Sequence, residues 1–284
     1  MIVLVGTVPY ETGVYVGQAS IKGGLLAIDE TGFGIERGTA AMAAACVQVC
    51  SFYGLPMPLC IFGGDISEGK GTDLMFQEVN SGIERLDPDV VTLHYMFPKI
   101  AYGEPFVRKI KSLQKRPLLI ADAGGMYLIK TIGYSSLFDV FTPDAGELLF
   151  LADELAAHPL YVRTDMLKQP WDMDQLAESA YQHKNSAATL VVKGSIDRVY
   201  RNGRLAKECS EPNIPAMEAI GGTGDTITGM LSGLLYRQED DAEYKALALN
   251  RIIGKRLNCN AATQISEFIR AIPTGLEAYE KGIC

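Results

Sequence analysis

Apolar residues along the chain fall into two alternating rhythms. Short continuous runs, Ile2–Val5, Pro58–Phe62, Val90–Leu93, Pro117–Ala121, Val140–Thr142 and Leu190–Lys193, are rich in β-branched and aliphatic residues and read as buried strands. Between them, segments of helical period predict helices near Thr39–Tyr53, Leu74–Leu86, Pro105–Leu113, Ala145–Asp153 and Met173–Lys184. Strand–helix alternation of this kind predicts an α/β fold with a mainly parallel central sheet covered on both faces.

The rhythm changes beyond residue 193. "RVYRNGRLAKE", Arg198 to Glu208, predicts a hairpin that turns at Asn202–Gly203. From Asp225 the pattern is helical nearly to the end, with a break at Pro273. No linker, low-complexity tract or repeat interrupts the chain, so residues 1–284 are read as a single domain with a helical C-terminal third.

Composition narrows the class of protein. With 48% hydrophobic and 21% charged residues, a chain of 284 residues can bury a large core. It has no apolar run of the roughly 18 residues that crossing a bilayer requires. The opening "MIVLVGTVPY" lacks a basic leader and a small-residue cleavage site, so it reads as a first strand, and a cytoplasmic protein with no membrane partner is expected. A formal charge of −8 and the lack of a recognition motif argue against a nucleic-acid partner. Six cysteines, at positions 46, 50, 60, 209, 259 and 284, include no C-x-x-C pair. Cys46 and Cys50, four apart on a predicted helix, read as small buried hydrophobes in a reducing compartment rather than as a metal or redox pair.

Chemistry concentrates in "GGTGDTITGMLSGLL", Gly221 to Leu235. Gly221, Gly222 and Gly224 let backbone N–H groups approach a ligand, and the helix that starts near Asp225 aims its positive end at the same point, which suits an anion. A carboxylate there has two readings: a base that takes the proton of whatever attacks a bound phosphate, or simply the N-cap of the helix. The stretch matches neither the P-loop nor the dinucleotide-binding fingerprint.

In its wider context the segment resembles the ribokinase-like superfamily, and within it the branch of the ADP/ATP-dependent NAD(P)H-hydrate dehydratases, also described as carbohydrate kinase-related. Lys193–Gly194 at a strand end, then the hairpin, then Gly221–Asp225 opening a small-residue helix, match that branch in kind and order. Upstream, "FTPDAGELLFLADE" (Phe141–Glu154) resembles its T-P-H-P-G-E motif, and "PLLIADAGGM" (Pro117–Met126) its strand ending in D-A-D-A. Residues 117–235 carry this likeness, and the remainder fits only in its rhythm.

The resemblance implies a three-layer ribokinase-like fold and a set of roles. Asp225 would be the base on the substrate hydroxyl, and the N–H groups of Gly222, Thr223 and Gly224 would hold the transferred phosphoryl. Lys193 and Gly194 would lie along the nucleotide, Asp122, Asp144 and Asp225 would face the substrate, and Glu147 would help hold Mg²⁺ through water. The implied cofactors are ATP or ADP with Mg²⁺, and the implied partner is a small-molecule substrate. In that branch the substrate is hydrated NADH or NADPH, phosphorylated on the ring and then relieved of phosphate. Assembly into a homo-oligomer is also expected.

Departures from the branch lie on the acceptor side. Asp144 stands in place of the motif's histidine, Gly124 in place of the second aspartate, and "TLHYMFPK" after Val90–Leu93 holds no G-P-G-[LM]-G. Three readings stay open: a dehydratase, a small-molecule kinase acting on a sugar or vitamin-like alcohol, and a nucleotide-binding protein without catalysis. His94 is expected to be a structural residue and Trp171 a packing anchor.

Overall fold

Each run read as a strand becomes one because its alternate residues serve opposite faces of a single sheet. In the computed structural model, which describes residues 1–66, 68–163, 166 and 171–282, Ile2 and Leu4 of β1 (Ile2–Val8) join one apolar core, and Val3 and Val5 join the other. A strand apolar at every position is thus apolar because both faces are covered.

Strand β1 lies between β5 (Leu59–Gly64) and β6 (Val90–Leu93), and β7 (Leu118–Ala121), β8 (Val140–Phe141) and β9 (Thr189–Val192) follow, every neighbour parallel. Beyond β9 the antiparallel hairpin of β10 (Asp197–Arg201) and β11 (Arg204–Cys209) ends the sheet. It turns at Asn202 (φ 50°) and Gly203 (φ 81°), the left-handed pair that the sequence predicts. At the opposite edge β2 (Gly13–Lys22), β3 (Leu25–Ile28) and β4 (Thr31–Phe33) add an antiparallel meander, giving a sheet of 11 strands.

Helices fill the outer layers. On one face lie α1 (Gly38–Tyr53) and the C-terminal helices α7 (Thr223–Tyr236), α8 (Ala242–Arg256), α9 (Ile265–Arg270) and α10 (Ile272–Glu280). On the other lie α2 (Lys70–Leu86), α3 (Ile100–Ser112), α4 (Ala123–Thr131), α5 (Ala145–Ala152) and α6 (Met173–Gln182). The result is a three-layer α/β fold with a mainly parallel sheet, as the resemblance implies.

Several elements correct the expectation. The meander β2–β4 was not foreseen, because β2 and β4 are half-exposed with no continuous apolar run and the apolar run of β3, Leu25–Ile28, is only four residues long. Helix α4 follows directly on Asp122, where only a strand end is legible. The C-terminal break falls at Ala271, and Pro273 sits in the first turn of α10, where its missing N–H costs nothing. Trp171 is 41% exposed and so is not the expected packing anchor. Cys46, Cys50, Cys60, Cys209 and Cys259 are buried, while Cys284 lies outside the described residues. Among the described residues no helix is long and apolar enough to cross a membrane.

Candidate active site

The carboxyl ends of the parallel strands bring the chemistry together, as open α/β sheets do. His94 follows β6, Asp122 follows β7, Asp144 comes shortly after β8, and Lys193–Gly194 follow β9. The N-terminus of α7 closes on the same side through contacts of Asp225 with His94 and of Thr228 with Asp122.

Asp225 is not the cap of its helix. That position belongs to Gly222, whose φ of 102° suits glycine and which supplies no side-chain bond. The carboxylate points away from its own helix instead. Its Oδ2 accepts the Gly38 N–H at the start of α1 at 2.6 Å, and its Oδ1 lies 3.2 Å from His94 Nε2. An acid that gives its oxygens to another helix and to a histidine is available to a proton.

His94, read from sequence as structural, stands at the centre of this arrangement. Its imidazole is fully buried, with Nδ1 3.2 Å from Thr39 Oγ1. Nε2 lies between Asp225 Oδ1 (3.2 Å) and Asp122 Oδ2 (3.6 Å) and is aligned on neither as a directed hydrogen bond. Burial pushes the imidazolium towards losing its proton, but the two carboxylates outweigh burial and raise it to about 9.

Asp122 is the N-cap of α4, accepting the Ala123 N–H at 2.9 Å. It also accepts both a 2.6 Å bond from the Thr228 hydroxyl and the Lys193 ammonium, whose Nζ is 3.0 and 3.1 Å from its two oxygens. Burial would raise its carboxyl, yet Lys193 and His94 hold it well below the usual range. Burial opposes the charge on Lys193 too, and Asp122 with Glu147 more than restores it. Two carboxylates, one ammonium and one imidazolium therefore balance in a nearly closed space.

Glu147 sits one turn into α5 and forms a reciprocal capping box with Asp144. Its Oε2 accepts the Asp144 N–H at 2.9 Å, and Oε1 accepts the Tyr127 hydroxyl at 2.6 Å. Burial raises its carboxyl to about 7 against the pull of Lys193, although the side chain is only half-buried. A carboxylate so engaged fits Mg²⁺ held through water better than a direct ligand, since Mg²⁺ keeps several waters. His94, Asp122 and Asp225 bring ligand atoms within 4.8 Å of one another. They fit Mg²⁺ poorly, because imidazole is a weak partner for a hard cation and Lys193 already holds both Asp122 oxygens.

On the other side of the glycine loop opens a cleft of about 480 Å³. Lys193, Gly194, Thr223 and Gly224 line it, Ile214, Pro215, Met217 and Ile227 give it an apolar wall, and Asn213, Asn250 and Glu218 give it polar groups. Thr223 is partly committed to the turn, its N–H reaching Ile220 O at 3.4 Å and its hydroxyl bonding to Met217 O and Ile220 O. Lys193 passes over Gly224, so that a methyl group there would lie 3.5 Å from its Cδ. Asp144 also lines this cleft and caps α5.

Arg251 forms part of the same wall and was not foreseen. Its guanidinium pairs with Asp197 at 2.7 Å and donates to the carbonyls of Gly194, Ser195, Ser210 and Pro212. Asp197 in turn accepts the Gly194 N–H at 2.9 Å, so this buried pair fixes the strand-end loop. One charged residue inside the apolar run "LALNRIIG" was the available signal. For His94 the signal was its position immediately after a buried strand.

The missing second aspartate has a steric reason. A Cβ at Gly124 would fall 2.1 Å from the Met96 carbonyl oxygen, so the loop after β6 fills the space that a side chain would need.

The family model described as NAD(P)H-hydrate dehydratase matches residues 97–273. An uncharacterized protein of Methanocaldococcus jannaschii is 38% identical over 83% of this chain and 98% of its own length. The bifunctional NAD(P)H-hydrate repair enzyme of Hyperthermus butylicus is 30% identical over 60% of this chain, and the ADP-dependent (S)-NAD(P)H-hydrate dehydratase of Nitrosopumilus maritimus 30% over 41%. The match spans only 31% and 36% of the length of those two proteins. Among solved structures, a ribokinase-like superfamily protein of Enterococcus faecalis superposes with a TM-score of 0.60 at 17% identity, covering 98% of this chain and 86% of its own. The ribokinase of Arabidopsis thaliana superposes with a TM-score of 0.54 at 15% identity, over 97% of this chain and 98% of its own. Such identities speak for the fold alone. With more than half of its length inside the family match, the chain belongs to the NAD(P)H-hydrate dehydratase family and has a ribokinase-like fold.

Proposed function

We propose that the protein is an ATP- or ADP-dependent dehydratase acting on hydrated NADH or NADPH. The observation that carries this reading is the freedom of Asp225: it stands beside the glycine loop without capping α7. In the proposed reaction the nucleotide occupies the cleft, with its terminal phosphoryl at the N–H groups of Gly222 and Gly224 and beside the Lys193 ammonium. Asp225 takes the proton as the acceptor oxygen bonds to phosphorus and the bond to the departing nucleotide breaks. Phosphate then leaves with the C–O electron pair, a proton is lost from the ring, and the dihydronicotinamide is restored. Mg²⁺, when bound, would neutralise phosphate charge, with Glu147 holding it through water.

A small-molecule kinase is the second reading. Its support is the acceptor-side loop, where His94 is followed by Tyr95 and Phe97, exposed by 47% and 43%. Incubating the protein with ATP or ADP and a panel of hydroxyl compounds that includes hydrated NADH separates the two. The dehydratase reading expects NADH absorbance to return with one nucleotide consumed per ring. A stable phosphate ester of another alcohol, with no return of NADH, would replace it with the kinase reading.

A further inference from the structure

We propose that His94 is the positioning residue of this site: its imidazolium bridges the Asp225 and Asp122 carboxylates, keeping Asp225 ionised and aimed at the acceptor. The inference rests on the reading of Asp225 as the base. Its physical ground is the geometry of two carboxylates on one buried nitrogen. Nε2 of a wholly buried side chain lies 3.2 Å from one carboxylate and 3.6 Å from the other, within reach of both and in a directed hydrogen bond to neither. A position between two acceptors is what a cation takes when it screens both.

Without that cation the site would disable itself. Two carboxylates that share a buried site cannot both ionise, so one takes up a proton. A protonated Asp225 has no capacity to receive the acceptor's proton. Lys193 meets this need on one flank only, because its ammonium is bound to both oxygens of Asp122. The Gly38 N–H steadies Asp225 Oδ2 but carries no charge. Among the described residues His94 is therefore the cation in contact with Asp225. During transfer the acceptor's O–H proton passes to Asp225, the imidazolium keeps its own, and the carboxylic acid so formed returns its proton to solvent after product leaves.

The surroundings suit a fixed charge. Facing the imidazole are Asp122 from the end of β7, Asp225 from α7, Thr39 from α1 and the neighbouring Tyr95, with Lys193 just beyond Asp122. The Tyr95 ring stands edge-on at 4.7 Å between centroids, and burial beside Asp225 and Asp122 raises its phenol to about 12, so it stays neutral. Burial acts against the charge on His94 as well, but the two carboxylates lift it to about 9.

The test uses the full chain and two readouts. The protein has three histidines, so imidazole NMR resonances can be assigned with a His94→Gln variant. The His94 ring is expected to stay protonated to a pH near 9, far above the ordinary value of about 6.5. Asp225→Asn should lower that titration by about one unit or more by removing one carboxylate. In turnover of hydrated NADH with ATP, His94→Gln should lower kcat about tenfold or more, because a base no longer held in place forfeits part of the ~10²–10⁴ that positioning supplies. KM for ATP should stay within about twofold, and the alkaline limb of the pH profile should disappear. A His94 that titrates near 6.5, or that ignores Asp225→Asn, overturns the inference. So does a His94→Gln variant with the parental pH profile and rate. If the unaltered protein turns over no acceptor, the functional reading fails instead, and the NMR titrations still decide the role of His94.

Discussion

The two sides of the glycine loop are built from different materials. The cleft side presents the amides of α7's first turn, an apolar wall and one buried ion pair, Arg251–Asp197, which is neutralised within the scaffold. The opposite side presents His94, Asp122 and Asp225, in contact with one another and nearly sealed from water, with Lys193 reaching from the cleft to Asp122. The difference matches two tasks. Phosphate can be gripped by backbone N–H groups and a helix end, which need no particular side chain. Taking a proton needs an ionisable group held in one charge state, which only neighbouring charges can arrange.

The largest effect should come from the proton-handling side. Asp225→Asn is expected to lower turnover of hydrated NADH by about 10²–10⁴, the range for loss of a positioned base. Asp225 does not cap α7, so the helix end is untouched, but the lost contact with the His94 imidazolium should still lower stability by about 1 kcal/mol. Full turnover by this variant would erase the contrast between the two sides.

Next in size is the scaffold of the cleft. Arg251→Met leaves Asp197 buried without its partner and strips bonds from four carbonyls, so a loss of about 3–5 kcal/mol is expected in urea unfolding. Glycine substitutions sharpen the comparison at a smaller scale. Gly124→Asp, which restores the branch's residue, puts a side chain against the Met96 carbonyl and should cost about 1–3 kcal/mol. Gly222→Ala meets both φ of 102° and Ile265 at 2.9 Å and should cost a similar amount, on the order of 1–3 kcal/mol. Gly224→Ala, with its nearest contact at 3.5 Å, should leave unfolding almost unchanged.

The last effect is read in stability against pH. The imidazole of His94 is raised to about 9 in the fold, from about 6.5 in the unfolded chain. Its contribution is thus complete below pH 6.5 and disappears as pH rises through 9, because over that window the fold binds the extra proton. Thermal unfolding of His94→Gln should accordingly show a flatter decline across the same window.

The parallel sheet was legible because strands buried on both faces cannot avoid continuous apolar runs. Val90–Leu93 has the same bounds in the sequence reading and in the fold. The meander was not legible, since alternation such as "GVYVGQASIK" becomes a strand only when β5 offers its edge. The same division applies to the site. Gly221–Asp225 announces itself by local chemistry, and Lys193 through the family resemblance. His94 does not, because its meaning lies in Asp122 and Asp225, which are 28 and 131 residues away in sequence and meet it only through the sheet order.

The division between the two sides is tested most directly by titrating ATP and ADP into Asp225→Asn and following heat. The base acts on the acceptor, while the phosphates are gripped by the backbone of Gly222 and Gly224. Nucleotide affinity within a few-fold of the parent, in a preparation whose turnover is lost, is therefore the predicted result. A variant that loses nucleotide binding together with turnover would contradict it, because the carboxylate would then belong to the phosphate site itself.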